Sequence, residues 1–386
     1  MKDLCLKFVK TQDLVVDATN QTHVEINLNA IKANAKAIKK HTGSKLIAVV
    51  KADAYGHGVI PVTEALQNIA DMFAVATVDE GIELRQAGIQ NPILILFSPL
   101  PDLAVDIVDY DLTAAVDNWS LAEQLNRVIL DRNHQSQPVK IKKAKIHINV
   151  NTGMNRCGVR FTEANRFIKD LESLSLLEME GVFTHFATAD ENDQSFAQIQ
   201  LNRFHSVIKN TLNISLKHVA NSAAALTIPE SHLDVVRTGL SLYGIYPAKE
   251  KPVQLQPALS WKARIGWIDY IEPGEGISYG LTFKTQNRIR VAGIQVGYGD
   301  GYPRALSGKG EVLIGGIRRP ILGRVCMDMI VCRLMSTDNI TVGDEVVLIG
   351  KQGNEEIGVD EIADHANTIS YEILTNIGKR VKRIYK

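Results

Sequence analysis

Eight short apolar runs, most of them separated by stretches with helical periodicity, constrain this chain more than any other feature. The runs fall at 46–50, 72–78, 93–97, 112–116, 146–150, 179–186, 216–220 and 235–243. Helical patterns occupy 61–69, 78–86, 121–128, 164–174 and 196–212 between them. Alternation of this kind belongs to parallel sheets, because parallel neighbours need long crossover connections that helices supply. Eight strand candidates predict an α/β fold with a (β/α)8 TIM-like barrel over 22–250, since doubly wound sheets usually have fewer strands and a glycine-rich first turn. Just before the first run, 24–28 alternates like a strand and Asn29 is placed to cap the Ala- and Lys-rich helical stretch after it. Beyond Pro252 the texture changes, with Val and Ile alternating with polar residues and turn signals at 272–276, 299–301 and 315–316. A mainly antiparallel, β-rich C-terminal domain is therefore expected over 251–386, helical only at 359–366 and 371–378. Residues 1–21 carry no pattern and are set aside as an N-terminal extension.

Charge excludes several function classes. Lys plus Arg and Asp plus Glu number 43 each, so no global field draws nucleic acid or anionic membrane, and a charged ligand must be held by local groups. No apolar run approaches the roughly 18 residues of a membrane span, and the opening residues lack the apolar core of a signal peptide, so a cytoplasmic protein is expected. Four cysteines, Cys5, Cys157, Cys326 and Cys332, show no CxxC spacing and read as reduced thiols, with no metal site. The basic run Lys379, Arg380, Lys382 and Arg383 reads as a solvated end. GYGDG at 297–301 is no dinucleotide motif, because no helix follows it at the right spacing.

In a barrel the reactive groups sit at the carboxyl ends of strands, and the first strand ends in KADAYGHG. Lys51 thus faces the site, where partial desolvation lowers an amine pKa and favours Schiff-base chemistry with an aldehyde cofactor. Alone, such a lysine is an ordinary strand-end charge. Other strand ends read HFATAD (185–190), HVANSAAA (218–225) and DVVRTGLSLYG (234–244). Asn221 and Ser222 stand at a strand-to-helix junction able to bind phosphate, Gly239 allows close backbone approach to the same group, and His185 is placed to stack on a planar ring. Each residue also has a structural reading: helix cap for Ser222, core histidine for His185, salt-bridged barrel residue for Arg237, turn phenol for Tyr279.

The strings VVKADAYGHG, NTGMNRCG, EGVFTHFATAD, ANSAAAL, RTGLSLYG, ISYG, VGYGDGYPR and GRVCMD occur in the order of the alanine racemase family, of fold type III among pyridoxal-phosphate enzymes, and the chain resembles it from about residue 23 to Tyr385. The resemblance implies that Lys51 holds pyridoxal 5′-phosphate and exchanges a proton on one face of the substrate, while Tyr279 is the base on the other. It assigns Tyr55, Ser222, Gly239 and Tyr371 to the phosphate, beside the Asn221 already placed there by its junction, His185 to the ring, and Arg237 to the pyridine nitrogen. Arg156 and Met327 match substrate-binding residues, His218 a histidine in the network linking Arg237 to the catalytic tyrosine, and Tyr298 and Asp328 supporting positions. It further implies a homodimer with shared active sites, alanine as substrate, and D-alanine for peptidoglycan as product.

The assigned roles agree with elementary chemistry. Racemisation needs a proton to leave one face of the α-carbon and return to the other, which two opposed bases serve better than one. A phenol titrates near pH 10, so its anion at neutral pH costs roughly 4 kcal/mol that Arg and His neighbours must offset. Arginine can only donate hydrogen bonds, so Arg237 disfavours a protonated pyridine nitrogen and with it the long-lived carbanions that lead to transamination. That weighs against a decarboxylase of the same architecture, which places a carboxylate there. A second base weighs against a non-catalytic carrier of the cofactor. A racemase of broader scope, acting on serine or lysine, remains an alternative.

One departure stands out. Many members of the family have a lysine where this chain has Asn149; its carbamate supplies a negative charge that orients the arginine matching Arg156. Asparagine cannot be carbamylated, and a second acidic position is Asn151 here. An inorganic anion, chloride, is expected between Asn149 and Arg156 in its place.

Overall fold

The computed structural model describes residues 21–135, 142–211 and 213–386. The N-terminal extension, Gln21 apart, lies outside the described residues, as does Cys5. The described residues form two compact units, Trp261–Glu356 with Lys379–Lys382 and residues 21–24 in one, Glu25–Ser260 with Ile357–Gly378 and Arg383–Lys386 in the other.

The larger unit is the expected barrel. Its strands are β1 (Lys45–Val49), β2 (Met72–Val75), β3 (Ile93–Ile95), β4 (Thr113–Val116), β5 (Ala144–Asn151), β6 (Leu177–Phe183), β7 (Leu216–His218) and β8 (Val235–Thr238). They pair in parallel in chain order from β1 to β7, and β8 returns to β1 with Arg237 opposite Ile47. The ring is completed by backbone bonds from Asp234 to Lys217 (3.2 Å) and from Arg237 to Ala220 (2.9 Å). Leu46, Ile47, Phe73, Leu94, Ala114, Ile146 and Val182 are buried. Strands covered on both sides must be apolar on both sides, which is why these segments read as continuous runs rather than alternating ones.

Several expected ends move for identifiable reasons. The helix after the opening strand Thr22–Ile26 spans Leu28–Thr42 and is capped by Asn27, whose Oδ1 accepts from the Ala30 amide at 2.9 Å; Asn29 lies inside the first turn and is not the cap. The run at 72–78 stops at Val75 because Thr77 and Glu80 form a reciprocal capping box for Val78–Gln86. The run at 235–243 stops at Thr238, and the chain turns through Gly239 into a short 3-10 helix, Leu240–Tyr243.

The smaller unit is antiparallel: β9 (Leu259–Ile271), β10 (Ile289–Ile294), β11 (Glu311–Ile314), β12 (Ile317–Pro320), β13 (Ile330–Leu334) and β14 (Glu345–Gln352). β9 pairs with β10 and β14, β10 with β13, and β11 with β12 and β14. Trp261 and Tyr302 meet edge-on within it, ring centres 5.9 Å apart. The basic run is not merely a solvated end. Arg380 binds Asp300 and Asp328, each at 2.7 Å, and Arg383 donates to the Ile377 and Gly378 carbonyls. Cys157, Cys326 and Cys332 are free thiols; among the described residues no acidic, histidine and cysteine cluster could hold a metal, and no helix is long and apolar enough to cross a membrane.

Candidate active site

A cavity of about 430 Å³ opens at the carboxyl ends of the barrel strands. Lys51, Tyr55, Asn149, Arg156, His185, Asn221, Ser222, Arg237, Gly239 and Tyr371 all line it, so ten sequence-predicted positions converge on one space.

Lys51 is presented by unusual backbone. The four residues after it, Ala52, Asp53, Ala54 and Tyr55, are all left-handed, with φ between 52° and 55°. L-residues rarely adopt this conformation in succession, because Cβ crowds the following carbonyl. Side chains hold the turn in place. Glu80 accepts from the Ala52 amide at 2.7 Å, Asp53 accepts from the Val59 amide at 2.7 Å, and His57 Nδ1 lies 3.0 Å from the Tyr55 carbonyl. The Lys51 amine is half-buried; burial and the Arg156 charge lower its pKa, while Glu80 opposes them. A depressed amine is the more nucleophilic one, as the strand-end position suggested.

At one end of the cavity the donors suit a phosphate. The Ser222 hydroxyl accepts from the Gly239 amide at 2.9 Å, and a Cβ at residue 239 would fall 2.8 Å from the Tyr55 ring carbon Cζ. Glycine is needed there for space alone. Burial raises the Tyr55 phenol and holds Tyr371 at about 12, so both stay protonated and able to donate at neutral pH. Asn221 caps the helix beginning at Ser222, accepting from the Ala224 amide at 3.0 Å.

At the other end Arg237 is buried, and its guanidinium donates to the His218 Nδ1 (2.8 Å), the His218 carbonyl (3.1 Å), the Thr184 carbonyl (2.8 Å) and the His185 Nδ1 (3.1 Å). Among the described residues no carboxylate pairs with it. Burial alone pulls its pKa down to about 9, so it remains a cation at pH 7. His185 is depressed to about 3 by burial and then by the charges of Arg237, Arg156 and Lys51, and is neutral. His218 commits both ring nitrogens inside the barrel, Nδ1 to Arg237 and Nε2 to His147 Nδ1 at 2.8 Å, and so lies in the hydrogen-bond network of Arg237.

Arg156 has no carboxylate partner among the described residues. Its guanidinium lies 5.2 Å from the centre of the Phe97 ring, and the Lys51 amine lies 5.4 Å from the same centre. Phe97 was missed as a site residue because it closes an apolar run and reads as core. Asn149 is buried and donates to Cys157 Sγ at 3.3 Å, whereas Asn151 accepts from the amides of Gly153 and Asn155 and organises a turn.

The remaining predicted residues lie in the smaller unit. Ser278 donates to the Arg324 carbonyl at 2.6 Å, and the amides of Tyr298 and Gly299 donate to the Cys326 and Met327 carbonyls, which gathers Tyr279, Tyr298, Met327 and Asp328 onto one edge of that unit. Tyr279 is 71% exposed and Met327 53%. Ser278 and Leu281 on either side of Tyr279 have positive φ, 65° and 46°, so its loop is held in strained backbone.

Fold and cavity together define the class, a β/α-barrel protein whose strand-end cavity gathers a lysine, a buried arginine and a glycine-walled cradle. Models of the alanine racemase N-terminal and C-terminal domains match residues 26–247 and 258–385. The chain is 44% identical to an alanine racemase of Halothermothrix orenii, covering 95% of this chain and 97% of that one, and 42% identical to one of Symbiobacterium thermophilum over 96% and 98%. Among solved structures, the alanine racemase of Clostridium difficile superposes with a TM-score of 0.88 at 37% identity over 95% and 96% of the two chains. The chain belongs to the alanine racemase family, a family of pyridoxal-phosphate-dependent isomerases.

Proposed function

We propose that this chain interconverts L-alanine and D-alanine, with Lys51 and Tyr279 as the two bases. The observation that carries the reading is one cavity that holds a depressed lysine amine, a Ser222–Gly239–Tyr55 cradle with no room for a Cβ, and a donor-only Arg237. These residues fit pyridoxal 5′-phosphate: Lys51 to bind its aldehyde, Tyr55, Asn221, Ser222, Gly239 and Tyr371 to hold its phosphate, His185 to lie on its ring, and Arg237 to face its nitrogen. When bound, that cofactor acidifies the α-proton of an attached amino acid. Lys51 takes or returns the proton on one face, and Tyr279 does so on the other. Arg156 and Met327 receive the substrate carboxylate. Arg237 donates and does not accept, which favours return of the proton to the α-carbon over transamination.

Tyr279 is placed in the site by a second copy of the chain. The exposed edge bearing Tyr279, Leu281, Tyr298, Met327 and Met329 is unusually apolar for open surface and suits burial against another subunit. The functional parts are thus a cofactor-binding barrel over 22–250, to which the stretch Ile357–Gly378 adds Tyr371, and a β-rich part within 251–386 that delivers Tyr279 and Met327, with Tyr298 and Asp328 in support. An anion, chloride, is proposed to fill the space between Asn149 and Arg156, and an anomalous-scattering map of a crystal should show it as a halide peak. The enzyme is cytoplasmic and supplies D-alanine for peptidoglycan.

The test is direct. Purified protein supplied with pyridoxal phosphate should gain an absorbance band that borohydride fixes to Lys51, racemise alanine faster than serine or lysine, and lose both properties in Lys51→Ala. A protein that stays colourless with added cofactor would end the reading.

A further inference from the structure

A buried guanidinium with no carboxylate at hand is costly, and Arg237 is such a group. Its compensation can be traced by following the protons. Arginine only donates, so His218 Nδ1, 2.8 Å from Nη1, must accept and His218 must carry its hydrogen on Nε2. That nitrogen lies 2.8 Å from His147 Nδ1, which in turn must accept, leaving the His147 hydrogen on Nε2. His147 Nε2 faces Glu180 Oε2 at 3.3 Å, and the other oxygen of Glu180 binds Lys145 at 2.6 Å. Every bond thus runs in one direction, away from the cavity, and ends on a carboxylate.

The barrel register builds this chain of bonds. His147 on β5 stands opposite Gly181 on β6, and a Cβ at 181 would fall 2.6 Å from the His147 ring, so only glycine admits the histidine there. Phe183 stands opposite His218 on β7 and stacks on it, ring centres 5.0 Å apart and planes 4° apart, and the Arg237 guanidinium lies 5.2 Å from the centre of the same ring. Both histidines are fully buried. Burial lowers both imidazole pKa values, and Glu180, despite its own burial, is pulled down to about 2 by the hydrogen bonds from His147 and Lys145.

We infer that Glu180 is a positioning residue for the cofactor site: acting through His147 and His218, it fixes both imidazoles as Nε2–H tautomers and holds Arg237 as a donor toward the pyridine nitrogen. This rests on the proposed pairing of Arg237 with that nitrogen. Without the carboxylate, His147 can carry its hydrogen on Nδ1, which turns His218 around and sets an N–H against the Arg237 N–H.

The experiment uses full-length protein loaded with pyridoxal phosphate and labelled with ¹⁵N-histidine. In the wild type at pH 7.5 the ring-nitrogen shifts of His147 and His218 should each report a single neutral Nε2–H form. In Glu180→Gln, which keeps the shape and removes the charge, both should become mixtures, the pH midpoint of the cofactor absorbance should move, and transamination per racemisation event should rise about tenfold, as for one weakened charge-assisted bond. A wild type with either histidine as Nδ1–H or doubly protonated overturns the inference without recourse to any variant. Tautomers that stay fixed in Glu180→Gln overturn it as well. Mixed tautomers with an unmoved absorbance midpoint uphold the relay and instead remove Arg237 from the pyridine nitrogen.

Discussion

Replacing Gly239 by alanine isolates the tightest steric constraint in the cofactor site. The backbone at 239 has φ −120° and ψ −81°, so alanine brings no positive-φ penalty and its effect is one of space. Its Cβ would lie 2.8 Å from Tyr55 Cζ and closer still to the hydroxyl, where ordinary contact begins near 3.4 Å. Tyr55 cannot swing aside freely, because it is buried between Tyr243 and Tyr371 at ring distances of 5.1 and 5.8 Å. Overpacking of this kind costs about 1–3 kcal/mol. Displacing Tyr55 or the Gly239 amide also weakens one bond to a charged phosphate, roughly another 1.5–3 kcal/mol in the loaded state. Cofactor-free Gly239→Ala should therefore melt below the wild type, and its dissociation constant for pyridoxal phosphate, read by absorbance titration, should rise about 10- to 100-fold. Tyr55→Phe in the same background should recover part of the lost melting temperature by removing the hydroxyl. A Gly239→Ala protein that melts and binds like the wild type would refute the steric argument.

Stability should fall with acid through the histidines. Burial lowers His57 from 6.5 to about 4, so the unfolded chain takes up a proton that the folded chain refuses; the stabilisation is complete above pH 6.5 and is lost as pH falls toward 4, about 2 kcal/mol by pH 5. His147, His185 and His218 act in the same direction, and urea titrations that give equal stability at pH 7 and pH 5 would contradict this. Phe97→Leu removes the ring shared by Lys51 and Arg156. At roughly 0.5–1 kcal/mol per cation–π contact, KM for alanine should rise about two- to fivefold with kcat less affected, and an unchanged KM would deny Phe97 a part in placing Arg156.

The barrel was legible because most of its strands are buried on both sides and so read as apolar runs, a pattern that survives errors in where each strand ends. Ends depend on local chemistry that competes with the pattern: Thr77 leaves its strand to cap a helix, and Gly239 breaks another to make room for Tyr55. Residues at strand ends, such as Lys51, Ser222 and Arg237, could be placed from topology. The Glu180 relay could not, since His147 sits within a run that reads as core, and only the register with Gly181 shows that the imidazole is accommodated by design of the neighbouring strand. A histidine inside an apolar strand, with glycine in the next run beside a glutamate, was the available signal. The left-handed turn after Lys51 was invisible for a different reason, because no glycine announces it.

That turn bears on how the protein matures. Four successive left-handed residues forgo about 1–2 kcal/mol each relative to relaxed backbone, and one of the groups that restrain them, Glu80, comes from beyond the second barrel strand. A nascent chain that has not yet joined its first two barrel strands has no reason to adopt the shape that aims the Lys51 amine. If Lys51 holds the cofactor as proposed, readiness to take up the vitamin B6 aldehyde is a late event in biogenesis, and its capture doubles as a certificate that the surrounding barrel has closed.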